Sequence, residues 1–104
     1  QAIAEFSLGG VILAANENYL RLFGYALAEL QGKSHAMLVD AAQVQSAAYR
    51  GLWDCLARGE AVSGRYHHVT KNGDRLWLQV SYSPIADRDG KPAKVVASAA
   101  DVTG

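Results

Sequence analysis

The sequence predicts an α+β domain in which a five-stranded antiparallel sheet carries short helices on one face. Three observations point to this class. The hydrophobic pattern has a helical period before residue 60 and a strand period of two after it. Short strands joined by turn residues open and close the chain, which favours hairpins over parallel crossovers. The length of 104 residues suits one domain and is too short for two.

The first two strands form a predicted hairpin. Residues 2–8 alternate loosely and end at the turn pair Gly9 and Gly10, after which residues 11–15 form the second strand. A short helix should follow directly. Its N-cap is Asn16, which can accept a backbone N–H, and its C-terminal left-handed residue is Gly24.

Two weaker elements precede the main helix. Residues 26–31 predict a very short helix whose cap position holds Ala26. Alanine has no side-chain acceptor, so we expect this end to be poorly anchored. Residues 34–38 should form one further turn, and the small, polar residues 40–45 should form a loop.

The strongest helical pattern lies between Ser46, the expected N-cap, and Gly59, the expected stop. Its apolar residues recur at i, i+3, i+4 and i+7, the spacing of one helix face. This stripe consists of Tyr49, Leu52, Trp53 and Leu56. We expect the stripe to lie on the sheet.

Three hairpin-linked strands complete the predicted sheet. The inner face of the middle strand is formed by Leu76, Leu78, Val80 and Tyr82. Trp77 lies on the opposite, mostly polar face. Pro84 marks the end of this strand or an edge position. The turns are expected at residues 71–74 and 88–91, and the last strand over 93–102.

Charge and cysteine content exclude several kinds of partner. Ten basic and ten acidic residues cancel, so neither nucleic acid nor a membrane surface is an expected partner. Cys55 is the single cysteine, which excludes an internal disulfide and agrees with a reducing, cytoplasmic location. No apolar run approaches the about 18 residues of a membrane span. No catalytic motif is recognisable, so we expect no enzyme activity.

An ordered set of short motifs resembles the PAS family, in particular the PAS domains of bacterial chemoreceptors and aerotaxis receptors. The set comprises ANENYL at 15–20, FGY at 23–25, ELQGK at 29–33, RGE at 58–60, SG at 63–64, KNGD at 71–74 and DVT at 101–103, with Trp53, Trp77 and Pro84. The resemblance implies the strand order 2-1-5-4-3 and a ligand cavity between sheet and helices. It also implies signalling through flanking helices in a larger protein, and a start at Gln1 rather than Met agrees with such a fragment.

The adjacent histidines His67 and His68 raise the question of strand register. Neighbours on a strand point to opposite faces, so both cannot bind one metal ion. A two-residue turn at 72–73 would place His67 on the inner face beside Leu78. A type I turn with a bulge would place His68 and Tyr66 there instead. The family pattern favours the second register, which we adopt, although an inward histidine is more often a hydrogen-bonded core residue than a ligand.

FAD and haem are the cofactors that the resemblance implies. Flavin-binding aerotaxis-type PAS domains carry an asparagine at the position of His68, and this departure weakens the match to FAD, although histidine can donate one such hydrogen bond. Haem needs an axial ligand, and His35 is the only histidine on the helical side. It lies near the expected position and not at it. The simpler interpretation of His35 is a turn residue that bonds local backbone.

The predicted pocket lies between the main helix and the inner face of the sheet. Its expected lining is Trp53, His68, Leu78 and Tyr82, with Asn18 at the rim and His35 as the haem candidate. A single tryptophan at helical spacing is also explained by core packing.

Signal relay and partner contact are assigned to other residues. The resemblance implies that Asp101 and Thr103 couple the last strand to a following helix, and both side chains can bond backbone at such a junction. An ordinary polar strand end is the alternative. Trp77 suggests a contact with a second copy, a flanking helix or the N-terminal segment. The sequence therefore predicts a ligand- or cofactor-binding sensor domain, with a ligand-free dimerisation module as the alternative.

Overall fold

The computed structural model describes residues 1–103 and contains one sheet covered on one face by short helices. The strands are β1 (Ala2–Ser7), β2 (Ile12–Ala15), β3 (Val62–Val69), β4 (Arg75–Ala86) and β5 (Pro92–Asp101). Between β2 and β3 lie α1 (Glu17–Phe23), α2 (Leu27–Leu30), a 3₁₀ helix (His35–Leu38), α3 (Ala41–Val44) and α4 (Ala47–Ala57). These bounds differ from most of the predicted ones by a residue or two at the element ends.

All strand pairs are antiparallel, and the order is β2-β1-β5-β4-β3. This confirms the predicted α+β class and the strand order implied by the resemblance. The last strand lies at the centre, where β1 pairs with it at Glu5↔Val96 and β4 at Tyr82↔Ala97. A change in β4 therefore reaches the C-terminal strand directly through backbone hydrogen bonds.

Asn16 joins the first helix to the first strand. Its Oδ1 accepts from the N–H of Tyr19 and from that of Ile3, both at 3.0 Å, and its Nδ2 donates to the carbonyl of Gln1 at 2.8 Å. The predicted N-cap is thus confirmed, and the same side chain also hydrogen-bonds the backbone of β1. Gly24 ends the helix at φ 81°, as predicted.

The start of α2 is better anchored than the sequence suggested. Ala26 offers no side-chain cap, but Glu29 Oε1 accepts from the Ala26 N–H at 2.9 Å. Glu29 Oε2 also pairs with Lys71 Nζ at 2.5 Å. The prediction of poor anchoring is therefore wrong: the carboxylate of the third helical residue binds the backbone N–H of the cap residue, although Ala26 itself has no acceptor for the helical N–H groups.

Residues 40–45 are not the expected loop. Asp40 Oδ1 accepts from the N–H of Ala42 at 2.9 Å and caps the short helix α3. The other carboxylate oxygen of Asp40 pairs with Arg75 on β4. Together these contacts hold a helical turn in a stretch whose small polar residues predicted none.

Strand β4 continues past Pro84 to Ala86. Pro84 pairs with Val95 of β5, whereas the pairing with β3 reaches only Val62↔Tyr82. Of the two predicted roles, the edge position is correct and the strand end is wrong. A proline without an N–H is tolerated because the β3 side of the strand is free there.

The turn between β3 and β4 has the bulged form. Thr70 N–H donates to the Asp74 carbonyl at 2.9 Å, and Gly73 has φ 87°. In the resulting register Tyr66 pairs with Leu78 and His68 with Leu76. This confirms the register in which His68 faces inward.

The core lies between the sheet and the helices. Leu52 and Leu56 of α4 are buried against it, as the stripe predicted, together with Phe6, Phe23 and Leu78. Across residues 1–103, none of the helices combines the length and the apolar character that crossing a bilayer requires.

Candidate functional site

Two buried histidines lie inside this core, next to a small cavity. His35 and His68 are each 1% exposed, and their ring centroids are 5.8 Å apart with nearly perpendicular planes. The cavity has a volume of about 30 Å³. It is lined by His35, Val39, Gln43, Ser46, Ala48, Tyr49, Leu52, Tyr66, His68 and Tyr82.

His35 links two tyrosine hydroxyls. Its Nδ1 lies 2.8 Å from the hydroxyl of Tyr49 on α4, and its Nε2 lies 3.0 Å from that of Tyr82 on β4. Burial, with a smaller contribution from nearby His68, lowers the pKa of His35 to about 3, so the ring is neutral. The 3₁₀ helix turns this side chain into the core. The expected role in bonding local backbone is therefore wrong.

His68 has one ring nitrogen satisfied and one without a partner. Its Nδ1 lies 2.8 Å from the Leu38 carbonyl. A carbonyl only accepts, so Nδ1 carries the hydrogen and Nε2 is a bare acceptor. Among the described residues, Nε2 has no hydrogen-bond partner. Burial lowers the pKa of His68 to about 4, so this ring is also neutral.

The position of His68 depends on a short segment at the free edge of β3. Val39 forms an isolated bridge with His68, and the Gln43 Oε1 accepts from the His67 N–H at 3.0 Å. The Asp40 N–H donates to the His67 carbonyl at 3.4 Å. Residues 38–40 thereby lie beside β3, Gln43 of α3 adds a side-chain hydrogen bond, and the Leu38 carbonyl reaches the histidine ring.

Trp53 packs beside the cavity without lining it. Its ring lies edge to face with Phe6 at 5.8 Å and with His35 at 5.2 Å. Gly10 lies against the indole, where a Cβ would be in van der Waals contact with the ring at 3.4 Å, and its φ of 84° is what favours glycine there. The contacts are those of a core residue.

The structure brings together three of the six predicted pocket residues: His35, His68 and Tyr82. Leu78 is fully buried in the core, where it pairs with Tyr66, two pairs along the sheet from His68 and Leu76. Asn18 is exposed and its Nδ2 donates to the Gln1 carbonyl at 3.3 Å, so it lies at the N-terminus and away from the cavity rim. The reason is the orientation of α1, whose first turn points at β1.

Tyr49 is the important site residue that the sequence did not single out. It is the first residue of the α4 stripe, and the spacing of that stripe predicts only packing on the sheet. A tyrosine at that position also carries a hydroxyl, which needs a partner when it is buried. Its partner, His35, lies 14 residues away in another element. In the sequence, only the place of Tyr49 in the apolar stripe of α4 indicates that it faces the interior.

FAD and haem do not fit this arrangement of side chains. Drug-sized and cofactor-sized ligands occupy pockets of about 300–1,000 Å³, and the cavity measures about 30 Å³. Both ring nitrogens of His35 are engaged by tyrosines, which leaves none for a haem iron. Within residues 1–103, no cluster of three or more histidine, cysteine or acidic side chains is arranged to hold a metal ion.

Residues 101–103, the expected C-terminal junction, are attached to β4. The Thr103 hydroxyl oxygen accepts from the Trp77 N–H at 2.8 Å, and the Val102 N–H donates to the Trp77 carbonyl at 2.9 Å. Asp101 Oδ1 accepts from the Thr103 N–H at 2.8 Å. The Trp77 side chain is half-buried and lies on the ring of His67, with centroids 4.0 Å apart. His67 therefore covers part of the Trp77 ring on the outer face of the sheet.

Comparison with known proteins agrees with this architecture. A family model described as the PAS fold matches residues 1–104. The biofilm dispersion protein BdlA of Pseudomonas aeruginosa is 46% identical over 101 residues, which cover 97% of this chain and 24% of that protein. The aerotaxis receptor of Escherichia coli is 37% identical over 84 residues, which cover 81% of this chain and 16% of that protein. The chain thus spans about a quarter or less of these relatives.

Solved structures share the same fold at lower identity. A PAS domain from Colwellia psychrerythraea superposes with a TM-score of 0.88 at 20% identity, over 98% of this chain and 86% of that one. An RNA-binding light-oxygen-voltage receptor superposes with a TM-score of 0.87 at 25% identity, over 98% of this chain and 30% of that one.

Proposed function

The chain belongs to the PAS family, as a sensory domain of the chemoreceptor type, and from this premise we propose that it binds a small ligand between its sheet and its helices. Binding alters the interior hydrogen bonds, and the change passes along β4 to the C-terminal junction. The domain acts in signal transduction and has no catalytic role of its own.

One observation supports ligand binding above the others. The Nε2 of His68 is a buried acceptor without a partner, and His68 lines a cavity. Buried polar groups are nearly always paired, because an unpaired one loses its hydrogen bonds to water without replacement. An unpaired acceptor at a cavity wall is therefore a natural contact for a ligand.

Strand β4 supplies the proposed route of the signal. Tyr82 lines the cavity and bonds His35, and Leu78, two inward positions along the strand, pairs with Asp101. The backbone of Trp77 holds both Val102 and Thr103. A displacement of β4 caused at Tyr82 would therefore change the support of the segment that leaves the sheet.

Several wider assignments belong to this proposal. The two curated relatives are about four to six times longer than the matched segment. We infer that the domain acts within a larger cytoplasmic signalling protein, and that it forms homodimers through flanking helices or the outer sheet face. Downstream domains of that protein would receive the signal at the junction after Thr103.

Native mass spectrometry of the freshly purified domain tests ligand binding, together with absorbance from roughly 300 to 700 nm before and after dithionite. We expect a retained or exchangeable small molecule and no flavin or haem bands. Flavin or haem bands would show that the interior opens to a large cofactor. A domain that retains nothing and binds nothing in a broad ligand screen would contradict the sensor proposal.

Amide hydrogen exchange tests the relay. The variant His68→Asn keeps a donor for the Leu38 carbonyl and removes Nε2, so it changes the cavity wall directly. We expect altered exchange at Val102 and Thr103. Leu30→Val, a buried change away from the cavity lining, is the matched control and should leave those amides unchanged. Equal exchange at the junction in both variants would contradict the proposed route.

A second candidate function is a ligand-free dimerisation module. The contact between Trp77 and His67 on the outer face of the sheet favours it, because aromatic residues such as tryptophan are enriched at interfaces between proteins. Sedimentation velocity of the domain and of Trp77→Ala separates the cases. Dimers that Trp77→Ala dissociates support this function, and a monomer at all concentrations contradicts it.

A further inference from the structure

The cavity wall carries an unmatched hydrogen-bond acceptor. The Nδ1 hydrogen of His68 is committed to the Leu38 carbonyl, so Nε2 of the neutral ring has a lone pair and no hydrogen. The residue is 1% exposed, and none of the described residues donates to this nitrogen. An occupant with an N–H or O–H group would satisfy it.

The same wall carries an unmatched donor. The hydroxyls of Tyr49 and Tyr82 and the neutral ring of His35 possess three polar hydrogens. Only two hydrogen bonds join these three groups. One hydroxyl hydrogen is therefore left over, and both tyrosines line the cavity. The cavity wall thus contains one acceptor, and the tyrosine that accepts from His35 can donate its own hydrogen into the cavity.

The wall is uncharged. Its ten residues include no aspartate, glutamate, lysine or arginine. Both histidines are neutral, because burial disfavours their charged forms. A charged ligand would lose its hydration here without meeting a counter-charge, which is strongly unfavourable. The site therefore selects neutral molecules.

The size and position of the cavity limit the ligand further. A volume of about 30 Å³ holds roughly two water-sized groups. Its wall reaches the surface in the first turn of α4, where Ala48 is exposed. The polar end of a ligand can occupy the interior while a small apolar body remains near Ala48.

We propose that this cavity binds a small neutral molecule whose polar end carries one hydrogen-bond donor and one acceptor, as in a primary amide or an alcohol. The donor contacts His68 Nε2, and the acceptor receives the remaining tyrosine hydrogen. This inference rests on the proposed sensory function and names the chemical class of its ligand. Ordered water has the same hydrogen-bonding groups and is the competing occupant.

Acetamide and acetone are matched probes for this site, because they have nearly the same shape and only acetamide has a donor. Long-range ¹H–¹⁵N spectra of the histidine rings report hydrogen bonding at Nε2 of His68. We expect acetamide to shift this resonance saturably and acetone to leave it unchanged. Equal responses to both probes, or no response to acetamide, would overturn the proposal in favour of water as the occupant.

Two pairs of variants locate the binding. His68→Asn removes Nε2 and leaves only the amide oxygen of a shorter side chain as an acceptor, so it should weaken acetamide binding about tenfold. His67→Asn, on the exposed side of β3, should not weaken it. Ala48→Leu narrows the cavity and should abolish binding, and Ala47→Leu in the same exposed turn should not. Because both alanine changes lie at exposed helical positions, they decide the question even if His68→Asn fails to fold. Undiminished binding in Ala48→Leu would overturn the proposal.

The outcome also separates this inference from the proposed function. A domain that ignores acetamide and retains a different ligand in native mass spectrometry refutes the ligand class and leaves the sensor function intact. A domain that binds no ligand of any class refutes both.

Discussion

The two buried histidines predict a loss of stability in mildly acidic solution. In the folded domain His35 has a pKa of about 3 and His68 of about 4, whereas an unfolded histidine has a pKa near 6.5. The unfolded chain therefore binds more protons below about pH 6.5. Stability that is fully present at higher pH is lost as the pH falls from about 6.5 towards these folded values.

The magnitude follows from the linkage between protonation and folding. At pH 5 each unfolded histidine gains about 2 kcal/mol from protonation, while both folded rings remain largely neutral. Lowering the pH from 7 to 5 should therefore reduce the free energy of unfolding by about 4 kcal/mol. This is a large share of the about 5–15 kcal/mol typical of small domains.

Carboxylates contribute little in this pH window. Hydrogen bonds lower the pKa of Asp40, first from the Ala42 N–H and then from Arg75. The Ala26 N–H and then Lys71 do the same for Glu29. Because unfolded aspartate and glutamate titrate near 3.8 and 4.5, the stability that these groups supply is lost only at lower pH.

Urea unfolding at pH 7 and pH 5, followed by tryptophan fluorescence and circular dichroism, measures the effect. His68→Asn provides the matched control: it retains His35, so its loss over the same interval should fall to about 2 kcal/mol. A loss below about 1 kcal/mol in the unmodified domain would refute the buried, neutral state of the two rings. An undiminished loss in His68→Asn would refute the contribution of His68.

Helix capping and core packing lead to two further expectations, both measured by urea unfolding. Asn16→Ala should lower the free energy of unfolding by about 2 kcal/mol and Ser46→Ala by about 1 kcal/mol. Asn16 caps α1 and also bonds β1, whereas the Ser46 hydroxyl bonds only nearby backbone, accepting from the Tyr49 N–H and donating to the Gln43 carbonyl. Equal losses would contradict the link to the strand. Leu56→Ala should lower the free energy of unfolding by about 2–5 kcal/mol, since the Leu56 side chain is fully buried. Leu13→Ala, at a position 40% exposed, should lower it by under about 1 kcal/mol. A small loss for Leu56→Ala would mean that α4 packs loosely.

Local patterns predicted most of the secondary structure correctly. The period of two placed Leu78, Val80 and Tyr82 on the inner face, and the structure confirms it. Asn16 and Ser46 were recognised as caps because a cap bonds an N–H only two or three residues away. Such features are local in the chain, so the sequence alone reveals them.

The errors arose where distant residues support a local element. The start of α2 depends on Glu29, which is itself held by Lys71. The helix α3 begins at Asp40, which is paired with Arg75 on another strand. The residues of these two ion pairs lie 42 and 35 positions apart, and such pairs leave no periodic pattern in the sequence. The sequence therefore predicts neither the anchored start of α2 nor the helix α3.

The sequence by itself determined the α+β class, the inner face of the sheet and, with the family resemblance, the strand order and the inward direction of His68. Only the tertiary structure decided which hydrogen-bond partners the polar side chains of the core have. His35 reaches Tyr49 and Tyr82, and the His68 ring reaches the Leu38 carbonyl, across separations of 14 to 47 residues. Periodicity states which face of an element is buried, but the partner across the core depends on how α4 and the 3₁₀ helix pack on the sheet. The acceptor left free at His68 Nε2 is a consequence of that packing.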